Sequence, residues 1–218
     1  MALNFDEINS LNPKQSAARS LPFEQYFGEM ELTEEEKRER IEMAYQFNDL
    51  FIIVLAIMTA QVQFKAIDYG YVRNRLEIGY LEIVRGRGIV EDAYIQQYAA
   101  DFVDDFINTT VDNQEDAYYL SQDRAQFIAE NESQTMNEYK EFVQAIKKGY
   151  KYKTWVTMND PQVRKTHKNL EGKTIGIKSL FNVGSVQMRF PKDYSKAGTS
   201  NRAKRELINC RCHAKYSK

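Results

Sequence analysis

Asp160, Arg164 and His167 stand four and then three residues apart, and Cys210-Arg211-Cys212 stands close to the end of the chain. An imidazole and two thiols could support thiol chemistry: a histidine can take a cysteine proton, and a neighbouring guanidinium such as Arg211 lowers a thiol pKa. No oxyanion-hole loop accompanies them, which argues against a thiol-dependent enzyme. A second alternative puts Arg124 and Glu132 in the cofactor and catalytic roles of an ADP-ribosyltransferase-like site, but the Ser-Thr-Ser strand such a site needs is missing. Glu130 and Glu132 sit two apart, so on a helix they point to different faces and do not form an acid–base pair. Asp101, Asp104 and Asp105 lack the spacing of a calcium loop and read as a solvated acidic face. Arg85-Gly86-Arg87-Gly88 lacks the phosphate-loop spacing and reads as a helix end. The basic residues Lys151, Lys153, Lys173, Lys178, Arg202, Lys204 and Arg205, interleaved with Tyr150, Tyr152 and Trp155, could contact a nucleic-acid backbone without sequence preference.

These residues need elements to position them. Thr33 followed by Glu36 is a capping-box signature, and it predicts a long helix to about Ala66, apolar all round at its centre and therefore enclosed by other helices. Further helices are expected over about 71–84, 90–109 and 115–148, the last allowing a break and closing at Gly149 after two lysines. Beyond Gly149 the character changes. Alternating residues from Lys151 to Met158 predict a strand, and Asp160-Pro161 predicts the start of a short helix over 161–170. Stretches 174–177, 186–190 and 208–211 read as short strands. The expected class is α+β: an extended N-terminal arm over 1–31 with an aromatic cluster from Leu21 to Phe27, a mainly helical acidic domain over 32–149, and a small basic α+β module over 150–218. The net charge of −1 conceals this polarity, because residues 147–218 hold eighteen Lys and Arg against four Asp and Glu. A basic end of that kind suits phosphate. The uninterrupted apolar run Leu50–Met58 is short of the ~20 residues that span a bilayer, so no membrane partner is expected. The N-terminus lacks the pattern of a signal peptide, and two cysteines one residue apart offer no disulfide framework, which places the chain in a reducing compartment or in a particle assembled there.

Trp155, Asp160, Arg164 with His167, Leu170 with Gly172, Phe190 with Pro191, and Asn209 to Cys212 form an ordered set that resembles the C-terminal domain of the phage Mu F-like head morphogenesis proteins. The resemblance covers about residues 120–213, more weakly before Trp155, where Arg124-Ala125, Ile128-Ala129 and Glu132 stand. It implies a minor head (minor capsid) protein of a tailed phage: a binding protein rather than an enzyme, located in the virion inside the head and in the host cytoplasm during assembly. Its partners would be the portal or other head proteins, with packaged DNA beside it, and it could leave with that DNA. In many members the positions of Arg164 and His167 are both cysteine, which with the terminal Cys-x-Cys makes a set suited to structural zinc. Here His167, Cys210 and Cys212 keep metal-competent side chains, whereas Arg164 stays protonated and cannot ligate. The preferred reading is therefore no cofactor, with Arg164 and His167 replacing zinc by a hydrogen-bonded cluster around Asp160 and the Cys-x-Cys. The rival classes are a genome-delivered enzyme and a soluble nucleic-acid-binding protein unrelated to capsids.

Overall fold

Thr33 and Glu36 cap each other: the Thr33 amide and hydroxyl both donate to the Glu36 carboxylate at 2.8 Å, and the Glu36 amide donates back to the hydroxyl at 3.3 Å. The helix they open, Glu34–Gln63, is the longest in the computed structural model, which describes residues 22–197 and 200–218. Most of the expected arm, including Pro13 and Leu21, lies outside the described residues. The rest of the arm is not all extended. Phe23–Gly28 forms a helix, α1, in which Phe23, Tyr26 and Phe27 recur at helical spacing and are each buried. Glu34–Gln63 is α2, and it is followed by α3 (Tyr69–Gly86), α4 (Ala93–Asp112), a 3₁₀ turn at Ala117–Leu120 and α5 (Gln122–Lys147). Gly149, with φ +71°, takes the left-handed position that ends α5, as its cationic last turn predicts.

The chain divides into two compact units, one comprising residues 1–24 and 41–133 and the other 25–40 and 134–218. The compositional change at Gly149 falls inside the second. In the first unit, Phe47, Phe51, Tyr80, Phe102 and Phe106 pack with ring centroids 4.8–5.9 Å apart, joining α2, α3 and α4. By length and composition α2 would suffice to cross a bilayer once the neutral residues flanking Leu50–Met58 are counted, and 44% of its most apolar window is buried within the protein. It is not enclosed all round, since Ile53, Ala56 and Ala60 remain exposed. Nor is the acidic face of α4 wholly solvated: Asp105 is buried and Asp104 pairs with Arg73.

The second unit carries the sheets. β1 (Tyr152–Val156) is the centre of a three-stranded antiparallel sheet, with β2 (Thr174–Gly176) on one side and β5 (His213–Ser217) on the other. A separate hairpin joins β3 (Phe181–Val183) to β4 (Val186–Met188). Three short helices complete the unit: α6 (Lys165–Lys168), α7 (Tyr194–Ala197) and α8 (Asn201–Leu207). The fold is α+β, as the sequence predicts, but β3, α7 and α8 were not anticipated, and two expected elements differ. The helix expected over 161–170 shrinks to α6, because the Asp160 carboxylate takes the amides of Gln162 and Val163 in a turn and Arg164 becomes the residue before the helix. The strand expected over 208–211 starts instead at His213, because Asn209 adopts φ +54° and redirects the chain.

Candidate functional site

Three segments converge on one buried point. β1 supplies Trp155, α6 supplies His167, and the link between α8 and β5 supplies Cys210 and Cys212. The His167 Nδ1 atom lies 3.4 Å from Cys212 Sγ and 3.5 Å from Cys210 Sγ. Its other nitrogen, Nε2, lies 3.0 Å from a Glu206 carboxylate oxygen, which also accepts from the Thr166 hydroxyl at 2.8 Å. The Trp155 ring meets the His167 ring edge-on at 5.5 Å. Arg164 donates to the Ile208 carbonyl and so fastens the start of α6 to the end of α8. Gly184 makes room for this contact set, since a Cβ there would stand 2.5 Å from a Glu206 carboxylate oxygen.

The charges are mutually compensating. Burial opposes protonation of His167, yet the Cys210 sulfur and the Glu206 carboxylate outweigh it and raise its pKa to about 9. Burial likewise opposes ionisation of Cys210, and the Cys212 thiol, the His167 ring and the Arg164 guanidinium hold it well below the usual thiol range. The hydrogen bond to Cys210, then burial, push Cys212 the other way. Glu206 is pushed up by burial and more strongly down by its bonds to His167 and Thr166. These shifts favour an imidazolium between a thiolate and a carboxylate. His167, Cys210 and Cys212 are 1–2% exposed, so no substrate reaches the sulfurs in this arrangement.

The ligand atoms of His167, Cys210 and Cys212 lie within 4.8 Å of one another. Zinc bond lengths imply N···S edges of about 3.6 Å for a tetrahedron, close to the spacing here, so three corners are suited to a metal. Among the described residues the fourth is not supplied. Arg164 is occupied with Ile208 and carries no lone pair, and His213 is outside the group, both of its ring nitrogens being buried without a partner among those residues. Structural zinc sites are closed by four protein ligands, and this donor set does not complete one.

Of the motif residues, the structure brings Trp155, His167, Cys210 and Cys212 together and ties Arg164 to the same junction. Asp160 is engaged elsewhere, with Arg211, which also reaches Glu29 at 3.3 Å. Glu206 and Thr166 were not legible as partners, because a single acid directly after the basic run 202–205 looks like a solvated charge. Among the candidate nucleic-acid contacts, Lys151, Lys173, Lys178, Arg202 and Arg205 are exposed. Lys153 and Lys204 are buried and do not offer their charge to a nucleic acid. Lys153 donates to the Ile177 and Ser179 carbonyls at 2.9 and 2.7 Å beside Phe142 and Phe181, and burial lowers its pKa to about 8. Glu132 and Arg124 are core groups of the first unit: Glu132 accepts from the Tyr80 and Tyr98 hydroxyls, and Arg124 donates to Thr110 and the Tyr119 carbonyl.

Residues 83–215 match the family described as Phage Mu protein F like protein. No curated protein and no solved structure matches the chain. The matched span exceeds half of the chain and contains every residue of the buried cluster, from Trp155 to Cys212; the chain belongs to the phage Mu protein F-like family.

Proposed function

We propose that the chain is a minor head protein of a tailed phage, held inside the head near the portal and the packaged DNA, and that it works by binding rather than by catalysis. The observation that carries this is membership of the family over residues 83–215, which supports a role in phage head morphogenesis with other head proteins as partners. Quantitative mass spectrometry of purified particles, before and after triggered DNA release, tests it. A few copies per full particle are expected. Loss on release would mark the protein as leaving with the genome, and retention would mark it as a fitting near the portal. Absence from both procapsids and full particles would overturn the reading.

Contact with DNA rests on the exposed Lys151, Lys173, Lys178, Arg202 and Arg205. Binding of the full chain to duplex DNA should be independent of sequence and fall with salt, the log–log slope losing about one unit for each phosphate contact removed. Replacing Lys173 and Lys178 by Ala should flatten that slope, whereas Lys153→Met should leave it unchanged. Equal slopes for all three proteins would remove this face from contact with DNA.

The buried cluster serves in this reading as a clamp closed by charge, without a metal. Dialysis against a strong chelator should leave the melting temperature of the purified chain unchanged, and zinc should be well below one equivalent by elemental analysis. Stoichiometric zinc, or a fall in melting temperature on chelation that zinc restores, would overturn the metal-free clamp and assign His167, Cys210 and Cys212 as ligands.

A further inference from the structure

β5 is an edge strand, and its backbone shows which groups lie open. The Trp155 amide donates to the Lys173 carbonyl and the Trp155 carbonyl accepts from the Gly172 amide, so the backbone of Trp155 faces away from β5. Its register partner Ala214 must then face away from β1, as must Tyr216 two residues on. Side chains of α5 cover the beginning of this outer edge. Gln134 donates to the Cys212 carbonyl at 3.0 Å, and the Ala214 amide donates to Glu138 at 3.2 Å. Among the described residues, no partner meets the outward Ala214 carbonyl or the outward amide and carbonyl of Tyr216. The edge opens there into a groove of about 570 Å³, lined by Leu32 and Glu36 before and within α2, by Gln144 of α5 and Lys148 just after it, and by His213 and Tyr216 of β5. Among the described residues, two buried polar groups of the lining also lack partners: the ring nitrogens of His213, a residue only 2% exposed, and the Tyr216 hydroxyl. Buried polar groups are nearly always hydrogen-bonded, so open main chain and unmet side chains in one groove mark a place built for an occupant.

We propose that this groove takes an extended peptide segment of another head protein, which adds to β5 as a strand and sets hydrogen-bonding side chains against His213 on one face of the sheet and Tyr216 on the other. The main chain of the occupant would meet the Ala214 carbonyl and both backbone groups of Tyr216. The short open edge limits the pairing to two or three residues, so the groove walls and the two unmet side chains supply the selectivity. The source of the peptide rests on the head-protein reading, but the site itself does not.

The test uses the full chain and a random nonapeptide display library, with no head present. Enriched peptides are synthesised and then N-methylated one amide at a time. Methylation at alternate positions, those facing β5, should weaken binding about tenfold, the effect of one lost hydrogen bond, while the intervening positions tolerate it. Saturation with peptide should slow exchange of the Tyr216 amide by about tenfold or more, as a new main-chain bond requires. Tyr216→Phe, which keeps the ring and the fold, should weaken binding severalfold. No enrichment, indifference to methylation in both registers, or protection at amides away from β5 would each overturn the proposal. Concentration-dependent dimerisation that protects Tyr216 without peptide would assign the edge to a second copy and overturn it as well. Failure here leaves the family-based reading intact, and absence of the chain from particles leaves the groove intact.

Discussion

Replacing His167 by Ala should lower the unfolding free energy of the second unit by about 3–5 kcal/mol, the cost of breaking a buried charge pair from one side. The loss has two sources. Deleting the imidazolium leaves the Cys210 sulfur and the Glu206 carboxylate without their shared counter-charge, 3.5 and 3.0 Å from where the ring nitrogens stood. It also removes the ring against which Trp155 packs edge-on, and Trp155 is itself fully buried. For a unit of about a hundred residues, a change of this size lowers the melting temperature by about 12–40 °C. Trp155 is the only tryptophan of the chain, so its fluorescence follows unfolding of this unit specifically. His167→Gln can still donate to Glu206 and should lose less than His167→Ala. Arg164→Met should fall between them, since Arg164 both ties α6 to the Ile208 carbonyl and favours the thiolate form of Cys210. A His167→Ala protein whose tryptophan transition matches the wild type would show that the cluster does not hold the unit together.

The family resemblance pointed to His167, Cys210 and Cys212, although it also put Asp160 with them and missed Glu206. Two histidines and two cysteines leave few ways to assemble a buried polar site, and the Cys-x-Cys spacing brings both sulfurs to one ring. The helix starts were legible, since Thr33 with Glu36 and Gly149 after two lysines are local chemistry that acts where it stands. The run from Glu130 to Glu138 was not. Glu-Asn-Glu-Ser-Gln-Thr-Met-Asn-Glu has the composition of a solvated helix face, yet all nine residues are buried. A helix can be this polar inside a protein only when each group finds a partner, and those partners lie far away in sequence: Tyr80 and Tyr98 for Glu132, and the Cys212 carbonyl for Gln134. Hydrophobic periodicity carries no trace of such pairings. Lys153 misled for the same reason, since a lysine bonded to two carbonyls and flanked by phenylalanines looks in sequence like any other basic residue of the module.

Arg40 is the strongest case of this hidden pairing, and it carries the second large expected effect. It is fully buried in the second unit and donates to Gln134 at 2.9 Å, Glu138 at 3.0 Å and Glu141 at 2.7 Å, partners about a hundred residues away. Burial opposes its charge, and the two carboxylates more than restore it. Burial and the nearby Glu141 push the Glu138 carboxyl well above the usual range, against the pull of Arg40. Arg40→Met should therefore cost about 3–5 kcal/mol at pH 7, because it leaves the buried Glu138 with the neutral donors of Gln134 and Ala214 but no counter-charge, and takes from the Gln134 oxygen the guanidinium that donates to it. Glu138→Leu should also destabilise, since it additionally removes the acceptor of the Ala214 amide at 3.2 Å. The double variant Arg40→Met with Glu138→Leu should lose less than the sum of the two, because an apolar pair of similar volume leaves neither charge unpaired. Urea unfolding followed by Trp155 fluorescence, with the slope checked for constancy across variants, reads all three. Strict additivity, or an Arg40→Met protein within about 0.5 kcal/mol of the wild type, would mean that Arg40 behaves as a surface charge does. Non-additivity would show that Arg40 and Glu138 act as a coupled pair between the N-terminal turns of α2 and α5, beside the pair of Glu39 with Lys140.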